Sequence, residues 1–350
     1  MRVLAVTNMY PSFDSPALGT FVEQQVKGLE RIGLEMRVVY VERRRLGMRA
    51  YFGVQAQVRK QLAEFRPDLV HVMYGGIIAE RVTTLIDTLP VIVSFCGSDL
   101  LGELLSGQWR KLAAQCGVWA SHRAAKRASG IVVKSKNLRD ALPPIVQPSK
   151  IRVIPNGIDL DRFKPLERQI CITKLGWKAE RFHILFPANG GGAQKRPDLA
   201  RAAVRKILAS GIDAEMHELQ GVPHDEVPIW INGSNAVLLT SLHEGSPNII
   251  KEALACNVPV VSVDVGDVKE RVHGIAGCYI SHSDPNDLAS HLRLVHSGRA
   301  RIAGRETMKE LSLEKIAGCL KAFYEEVLES TNVKKRVNKT PAMPVLEELK

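Results

Sequence analysis

The stretch His243-Glu-Gly-Ser-Pro-Asn-Ile-Ile-Lys-Glu-Ala-Leu-Ala-Cys-Asn-Val-Pro-Val-Val261 decides how the second half of the chain folds. Ala236–Leu242 before it reads as a buried strand. Ser246 is expected to cap a helix, and Pro247 fits the first helical position, where its missing N–H costs nothing. The helix then covers Asn248–Ala255. Asn257 suits a left-handed stop, Pro259 blocks continuation, and the apolar run from Pro259 is the next strand. Strand, loop, helix and strand in this order are one turn of an α/β fold.

The same alternation runs outward in both directions. Upstream, continuous apolar runs at Val3–Val6, Met36–Val41, Leu69–Met73, Val91–Phe95, Gly130–Val133 and Ile151–Ile154 have the unbroken character of parallel strands covered on both faces. Thr20–Ile32 is an amphipathic helix closed by Gly33. Ile154–Gln169 is broken by Pro, Asn-Gly and Pro, as in a linker. A second series follows, with strands at His183–Phe186, Ala214–Leu219, Ala236–Thr240, Pro259–Val263 and Gly277–Ile280. Its helices are expected at Asp198–Ser210, Asp225–Asn232, Pro247–Cys256 and Pro285–His296. The expected organisation is an N-terminal Rossmann-like domain (1–155), a C-terminal one (156–310), a helix over 311–330 packing back on the first domain, and a loose tail over 331–350. Two such domains face each other across a cleft, the default ligand site.

Composition narrows the function. The chain has 350 residues, enough for two cores, with an ordinary 45% hydrophobic and 24% charged content. Its six cysteines lack paired spacing, which argues against a zinc or disulfide framework. No apolar run is long enough to span a bilayer, and no leader is expected ahead of the first strand. Through Pro155 there are 22 Lys and Arg against 12 Asp and Glu; the remainder has 26 against 25. The basic excess therefore lies in the first half. It fits a polyanion or anionic membrane as neighbour, or a plain solubility role. No nucleic-acid motif accompanies the charge, so no nucleic-acid partner is expected.

The opening stretch also carries chemistry. Amides around Ser246–Ile250 lie at a helix start, where anions are favoured. Glu244 precedes them, and Glu252 lies roughly 8 Å along the helix from its start. A long ligand with hydroxyls at both ends and phosphates between matches this order, the outline of a nucleotide-sugar. The spacing alone also fits a cap and a surface carboxylate. A glycosidase pair needs carboxyls facing across an open sugar site, which this placement does not give.

Ser241–Val261 resembles the signature of the retaining glycosyltransferases of family 4, which have the GT-B fold. Thr7–Val39 resembles that family's first βα unit, "VIVSFCGSDLLG" (91–102) its His-Gly-x-Asp segment, and "IRVIPNGIDLDRFKP" (151–165) its interdomain junction. "ILFPANGGGAQKRPDLARAA" (184–203) resembles its phosphate-binding strand and lysine. Within the family, "FCGSDLLG" and "EGSPNIIKEALACNVPVVSVDVGDVKERV" resemble the teichuronic-acid-biosynthesis type.

The resemblance implies the following roles. Glu252 binds ribose hydroxyls, and Glu244 positions the donor sugar. Gly245, Ser246, Asn248 and Ile249 line the diphosphate and sugar. Lys195 neutralises the leaving diphosphate, and Gly19 lets backbone approach the phosphates. Asp99 binds acceptor or donor sugar, or caps the following helix. Two departures stand out. Cys96 occupies the usual histidine position and supplies neither its charge nor its hydrogen bonds. Asn189 takes the place of an arginine near the phosphates, with Arg196 beside Lys195 as the substitute.

The activity implied is transfer of a sugar from a nucleoside diphosphate sugar, a UDP-sugar by expectation, to a polysaccharide or lipid-linked acceptor hydroxyl. No cofactor or metal is expected. Asp159-Leu-Asp161 imitates a metal-binding Asp-x-Asp but falls in the junction, and His71, His224 and His243 lack ligand spacing. A non-catalytic sugar-nucleotide-binding scaffold and a GT-B epimerase or phosphorylase are the alternatives. Residues 104–129 place Trp109, Leu112, Cys116 and Trp119 at helical spacing among basic residues. That pattern suits either a core-facing helix or an anionic membrane surface. The expected location is the cytoplasm, with peripheral contact to the inner face of the cell membrane.

Overall fold

The computed structural model describes residues 1–337 except 16–17, 104–106, 190–191 and 299–300; side chains at 44 and 332–337 are also outside the description. The expected residues 338–350 of the tail, and the first three of the 104–129 segment, lie outside the described residues.

Six parallel strands form the first sheet: β1 (Arg2–Thr7), β2 (Glu35–Tyr40), β3 (Leu69–Val72), β4 (Val91–Phe95), β5 (Gly130–Val133) and β6 (Ile151–Val153), in the order β2-β1-β3-β4-β5-β6. Five more form the second: β7 (Phe182–Phe186), β8 (Ala214–Glu218), β9 (Ala236–Leu239), β10 (Val260–Val263) and β11 (Tyr279–Ser281), in the order β11-β10-β9-β7-β8. Every strand of the two expected series is present within two residues, and the strand read as far as Leu242 ends at Leu239. The reason is physical: β3, β4, β5, β7, β9 and β10 are buried along their whole length, so only continuous apolar runs survive there.

Two crossings join the domains and run side by side. Ile158 of the linker pairs with the stretch before the last helix: its N–H donates to Leu311 O (2.8 Å), and its carbonyl accepts from Leu313 N (3.1 Å). Arg305 fastens the same place. Its Nη1 donates to Phe163 O (2.6 Å) and Ala255 O (3.1 Å), and its Nη2 to Leu160 O (2.7 Å).

The last helix, Leu313–Val337, packs against the helix Thr20–Arg31 and against β5 of the first sheet. Phe323 and Val327 fill the space a Cβ on Gly130 would need, 2.8 Å from each. Tyr324 Oη meets Nδ1 of the buried His71 at 2.6 Å, and Ser94 Oγ meets its Nε2 at 2.7 Å. Burial holds that imidazole neutral, its pKa pushed down to about 3. The helix continues past residue 330, because no breaker interrupts the chain before Pro341. Among the described residues, no helix is long and apolar enough to cross a membrane.

Candidate active site

The carboxyl ends of both sheets face each other, and the loops after β4, β7 and β9 meet there. The loop after β7 ends in a short turn, Gly192–Lys195. β7 and β9 are neighbours in the sheet, so this turn lies beside the loop His243–Ser246. Hydrogen bonds stitch the two loops together, among them Leu242 N to Gln194 O (2.9 Å), Gln194 Nε2 to His243 O (2.9 Å), and Thr240 Oγ1 to Lys195 O (2.8 Å). The stitching brings Lys195 Nζ to 2.6 Å from Glu244 Oε1. Ser241 Oγ donates to the same oxygen at 2.8 Å. Lys195 and Glu244 are 15% and 14% exposed, so the pair is shielded yet reachable.

The helix Asn248–Ala255 begins after Pro247, which occupies the N-cap position itself. Ser246 does not cap it. Its hydroxyl donates to Asp267 Oδ2 (2.9 Å) and accepts from Lys251 Nζ (3.2 Å). Arg271 Nε completes this cluster at 2.9 Å from Asp267 Oδ2. Such a network outcompetes one capping bond because it satisfies a buried carboxylate and a buried ammonium together. Lys251 also donates to Asn156 O in the linker (3.0 Å), and burial lowers its pKa to about 8 against the pull of Asp267. Asn248 Oδ1 accepts from Asn156 Nδ2 at 3.4 Å. The amides of Asn248 and Ile249, in the first turn, have no partner within the helix.

Glu252 sits one turn further on, 12% exposed, with His224 Nε2 at 4.0 Å. Burial raises its pKa to about 7, and Lys251 and Arg162 only partly offset this. Arg162 of the linker meets His224 Nδ1 at 2.5 Å, so the junction covers the flank of this carboxylate. Asp159 spends its carboxylate on the amides of Asp161 (3.1 Å) and Arg162 (3.0 Å), a turn role.

The first domain presses on the second at the same loop. Asn137 Nδ2 donates to Glu244 O (3.0 Å). A Cβ on Gly245 would sit 2.3 Å from Cys96 O, and one on Gly266 2.3 Å from Gly245 O, so backbone meets backbone here. The Cys96 loop is held by Asp99, 4% exposed, whose carboxylate accepts from Gly75 N (2.9 Å), Cys96 N (3.0 Å) and Gly97 N (2.8 Å). Those bonds make Asp99 a loop-positioning group; it neither caps the next helix nor presents a free carboxylate to a sugar. Cys96 supplies no charge, since burial and the nearby Asp99 push its thiol up to about 12.

Three other expected residues make contacts within the chain. Gly19 has φ +67, and its close approach is to backbone: a Cβ there would sit 2.2 Å from Met9 C and 2.6 Å from Tyr10 N. Asn189 Oδ1 accepts from Gly221 N (3.1 Å), tying the loops after β7 and β8. Arg196 pairs with Asp198 at 3.3 Å while its carbonyl anchors Thr240.

Asn137, Lys134, Lys251 and Asn156 escaped sequence reasoning. Lys134 lies just beyond β5, 2% exposed, 3.4 Å from Gln25 Oε1. Lys251 carried a usable signal: a lysine in a short helix flanked by two buried strands needs a buried partner. Asn137 and Asn156 had none, because their partners lie 107 and 95 residues away. Among the described residues, one trio of His, Cys, Asp or Glu donors stands close enough for a common ion, His183, Glu215 and His217 on β7 and β8, outside this site.

Two parallel-sheet domains closing on a lysine–carboxylate pair and a helix start define the GT-B class of sugar-transferring folds. Known proteins agree. Residues 18–162 match the model of Glycosyltransferase Family 4, and residues 179–297 that of the glycosyl transferases group 1. The chain belongs to these family 4, group 1 glycosyltransferases.

The chain is 23% identical, over 77% of its length and 82% of the other's, to the putative teichuronic acid biosynthesis glycosyltransferase TuaC of Bacillus subtilis. It is 25% identical to the D-inositol 3-phosphate glycosyltransferase 1 of Catenulispora acidiphila over 44% of the chain and 45% of that protein. The match thus spans about half the length of such inositol phosphate enzymes. Among solved structures, sucrose-phosphate synthase from Thermosynechococcus elongatus superposes with a TM-score of 0.77 at 14% identity, over 94% of this chain and 100% of that one. Anabaena HepE in complex with UDP-glucose gives 0.66 at 15% identity, over 95% and 100%. At these identities the superpositions establish the fold.

Proposed function

We propose that the chain is a retaining glycosyltransferase that moves a sugar from a UDP-sugar to a hydroxyl of a cell-surface polysaccharide or lipid-linked acceptor. The observation that carries this reading is the Lys195–Glu244 pair beside the Asn248 helix start, with Glu252 one turn along. In this reading Lys195 faces the departing diphosphate, Glu244 orients the sugar, and Glu252 accepts from the ribose hydroxyls. The acceptor hydroxyl attacks on the face the leaving group departs from. The sugar–phosphate bond breaks, the new glycosidic bond forms, and the acceptor's proton passes to the leaving phosphate oxygen. The chain's share is positioning and charge stabilisation. HepE, solved with UDP-glucose, and TuaC, named for teichuronic acid biosynthesis, support the donor and acceptor classes.

Membrane contact belongs to the same reading. The helix Gln108–Arg127 buries only its second half, through Ala120, Ser121, Ala124 and Ala125. Its apolar stripe faces outward: Trp109 is 85% and Trp119 59% exposed. The helix Gly76–Leu85 lies alongside, and Ala50–Phe65 packs against that helix in turn. Phe52, 73% exposed, sits under the Arg81 guanidinium, and Arg123 lies over Trp119 while reaching Glu80. Exposed aromatics among arginines on the basic domain suit an anionic lipid surface.

The test is release of UDP from a panel of UDP-sugars, with and without membrane extract, for the wild type and Glu252→Ala. Turnover lost in the variant supports the transferase. Donor binding without turnover under every condition favours a scaffold, and interconversion of the free donor sugar favours an epimerase.

A further inference from the structure

Outside the cleft, β7 and β8 bring His183, Glu215 and His217 together. His183 stands opposite Glu215 in the parallel register, and Glu215 and His217, two apart on one strand, share a face. One donor atom from each lies within 4.8 Å of the others. Nδ1 of His183 is 2.8 Å from Nε2 of His217. The other nitrogen of His183 donates to Lys178 O at 2.7 Å. That bond fixes the tautomer, so Nδ1 carries a lone pair toward His217. An imidazole held by a carbonyl on one nitrogen, with its other nitrogen facing a second imidazole and a carboxylate close by, is supported as metal-ligating histidines are.

The surroundings hold this geometry. The His217 ring stacks on Trp177, with centroids 3.6 Å apart and planes 8° from parallel. Trp177 in turn meets Trp230 edge to face. The Glu215 side chain is 41% exposed, which leaves an approach from solvent, and it is paired with Arg181 at 3.1 Å.

We propose that His183 Nδ1, His217 Nε2 and a Glu215 carboxylate oxygen form a site for a divalent transition-metal ion of the zinc class, with water as fourth ligand. Without the ion, the Nε2 hydrogen of His217 is donated to His183. With it, that hydrogen moves to Nδ1 of His217 and both rings stay neutral. The two nitrogens then separate to about 3.3 Å, as two ~2.05 Å bonds at a tetrahedral angle require. β8 is an edge strand with a neighbour on one side only, so it can yield by this amount. His183 lies near the start of β7, and the catalytic loop leaves its other end, so the ion clasps the edge strand and takes no part in sugar transfer.

The experiment uses the full chain stripped with a chelator. Zn²⁺ is titrated by calorimetry and Co²⁺ by its visible absorption, with Trp fluorescence reporting on Trp177 and thermal unfolding followed with and without Zn²⁺. The wild type is expected to take one equivalent, with tetrahedral Co²⁺ bands and a raised Tm. His217→Gln and Glu215→Gln are expected to weaken uptake by at least about tenfold and to lose the Tm rise. Circular dichroism confirms that both variants fold. Equal affinity in the wild type and both variants, or a Tm indifferent to Zn²⁺, overturns the site and leaves the trio a hydrogen-bonded cluster.

Discussion

Lys195 Nζ lies 2.6 Å from Glu244 Oε1, and this contact ties the loop after β7 to the loop after β9. Each residue satisfies the other's charge, and in the proposed function a bound diphosphate sugar would exchange these partners without baring a charge. Lys195→Ala is expected to lower kcat by about 10²–10³, the scale of losing one preorganised electrostatic group. Steady-state kinetics measure it. A kcat within a factor of a few of wild type would remove Lys195 from the charge-stabilising role.

Gly245 meets the first domain backbone to backbone. A methyl group there would sit 2.3 Å from Cys96 O, so Gly245→Ala forces the loop and the first domain apart. A displacement near an ångström lowers turnover by about a hundredfold. Small-angle scattering and kcat are expected to change together, and an unchanged kcat contradicts the closed arrangement.

Glu252 titrates near 4.5 in an unfolded chain and near 7 in the fold. The folded state holds the extra proton between those values, so this group's contribution to stability falls as pH rises through that window. Ribose hydroxyls need an acceptor carboxylate, so UDP affinity is expected to strengthen as pH rises from 6 to 8. Calorimetry at the two pH values checks this. The difference is expected to flatten in Glu252→Gln, and an identical slope there rules out Glu252 as its source.

Tyr324→Phe removes the hydroxyl that His71 Nδ1 meets, leaving a buried polar atom unpaired. The expected cost is about 1–3 kcal/mol in denaturant unfolding. The neutral His71 also makes stability fall with acid: the unfolded histidine takes a proton below its usual 6.5, while the folded one resists until about 3. A variant as stable as wild type would mean the last helix is not anchored through this hydroxyl.

Phe52→Ser combined with Trp109→Ser and Trp119→Ser is expected to reduce co-sedimentation with phosphatidylserine-containing vesicles. Wild-type binding is expected to weaken with salt, because the Arg-rich rim acts through screened charge. Binding equal in the triple variant and wild type would sink the membrane reading.

The sequence by itself determined the two sheets. Buried parallel strands tolerate only apolar runs, and Val3–Val6, Gly130–Val133 or Pro259–Val263 announce themselves without any partner being known. It also determined the order of Lys195, Glu244 and Glu252 along the second domain, because loops between such strands collect at one edge. Tertiary structure decided which polar groups those residues meet. Ser246 turns from capping to Asp267 because Lys251 and Arg271 are already there. Asp99 is spent on three backbone amides of its own domain. Asn137 reaches Glu244 across 107 residues of chain. The Trp109–Trp119 stripe reads as core or surface from its spacing alone, and only the position of Ala120–Ala125 against the domain turns it outward. Periodicity is local and legible one residue at a time, whereas a hydrogen-bond partner is fixed by the meeting of distant segments, which a single chain of letters does not order in space.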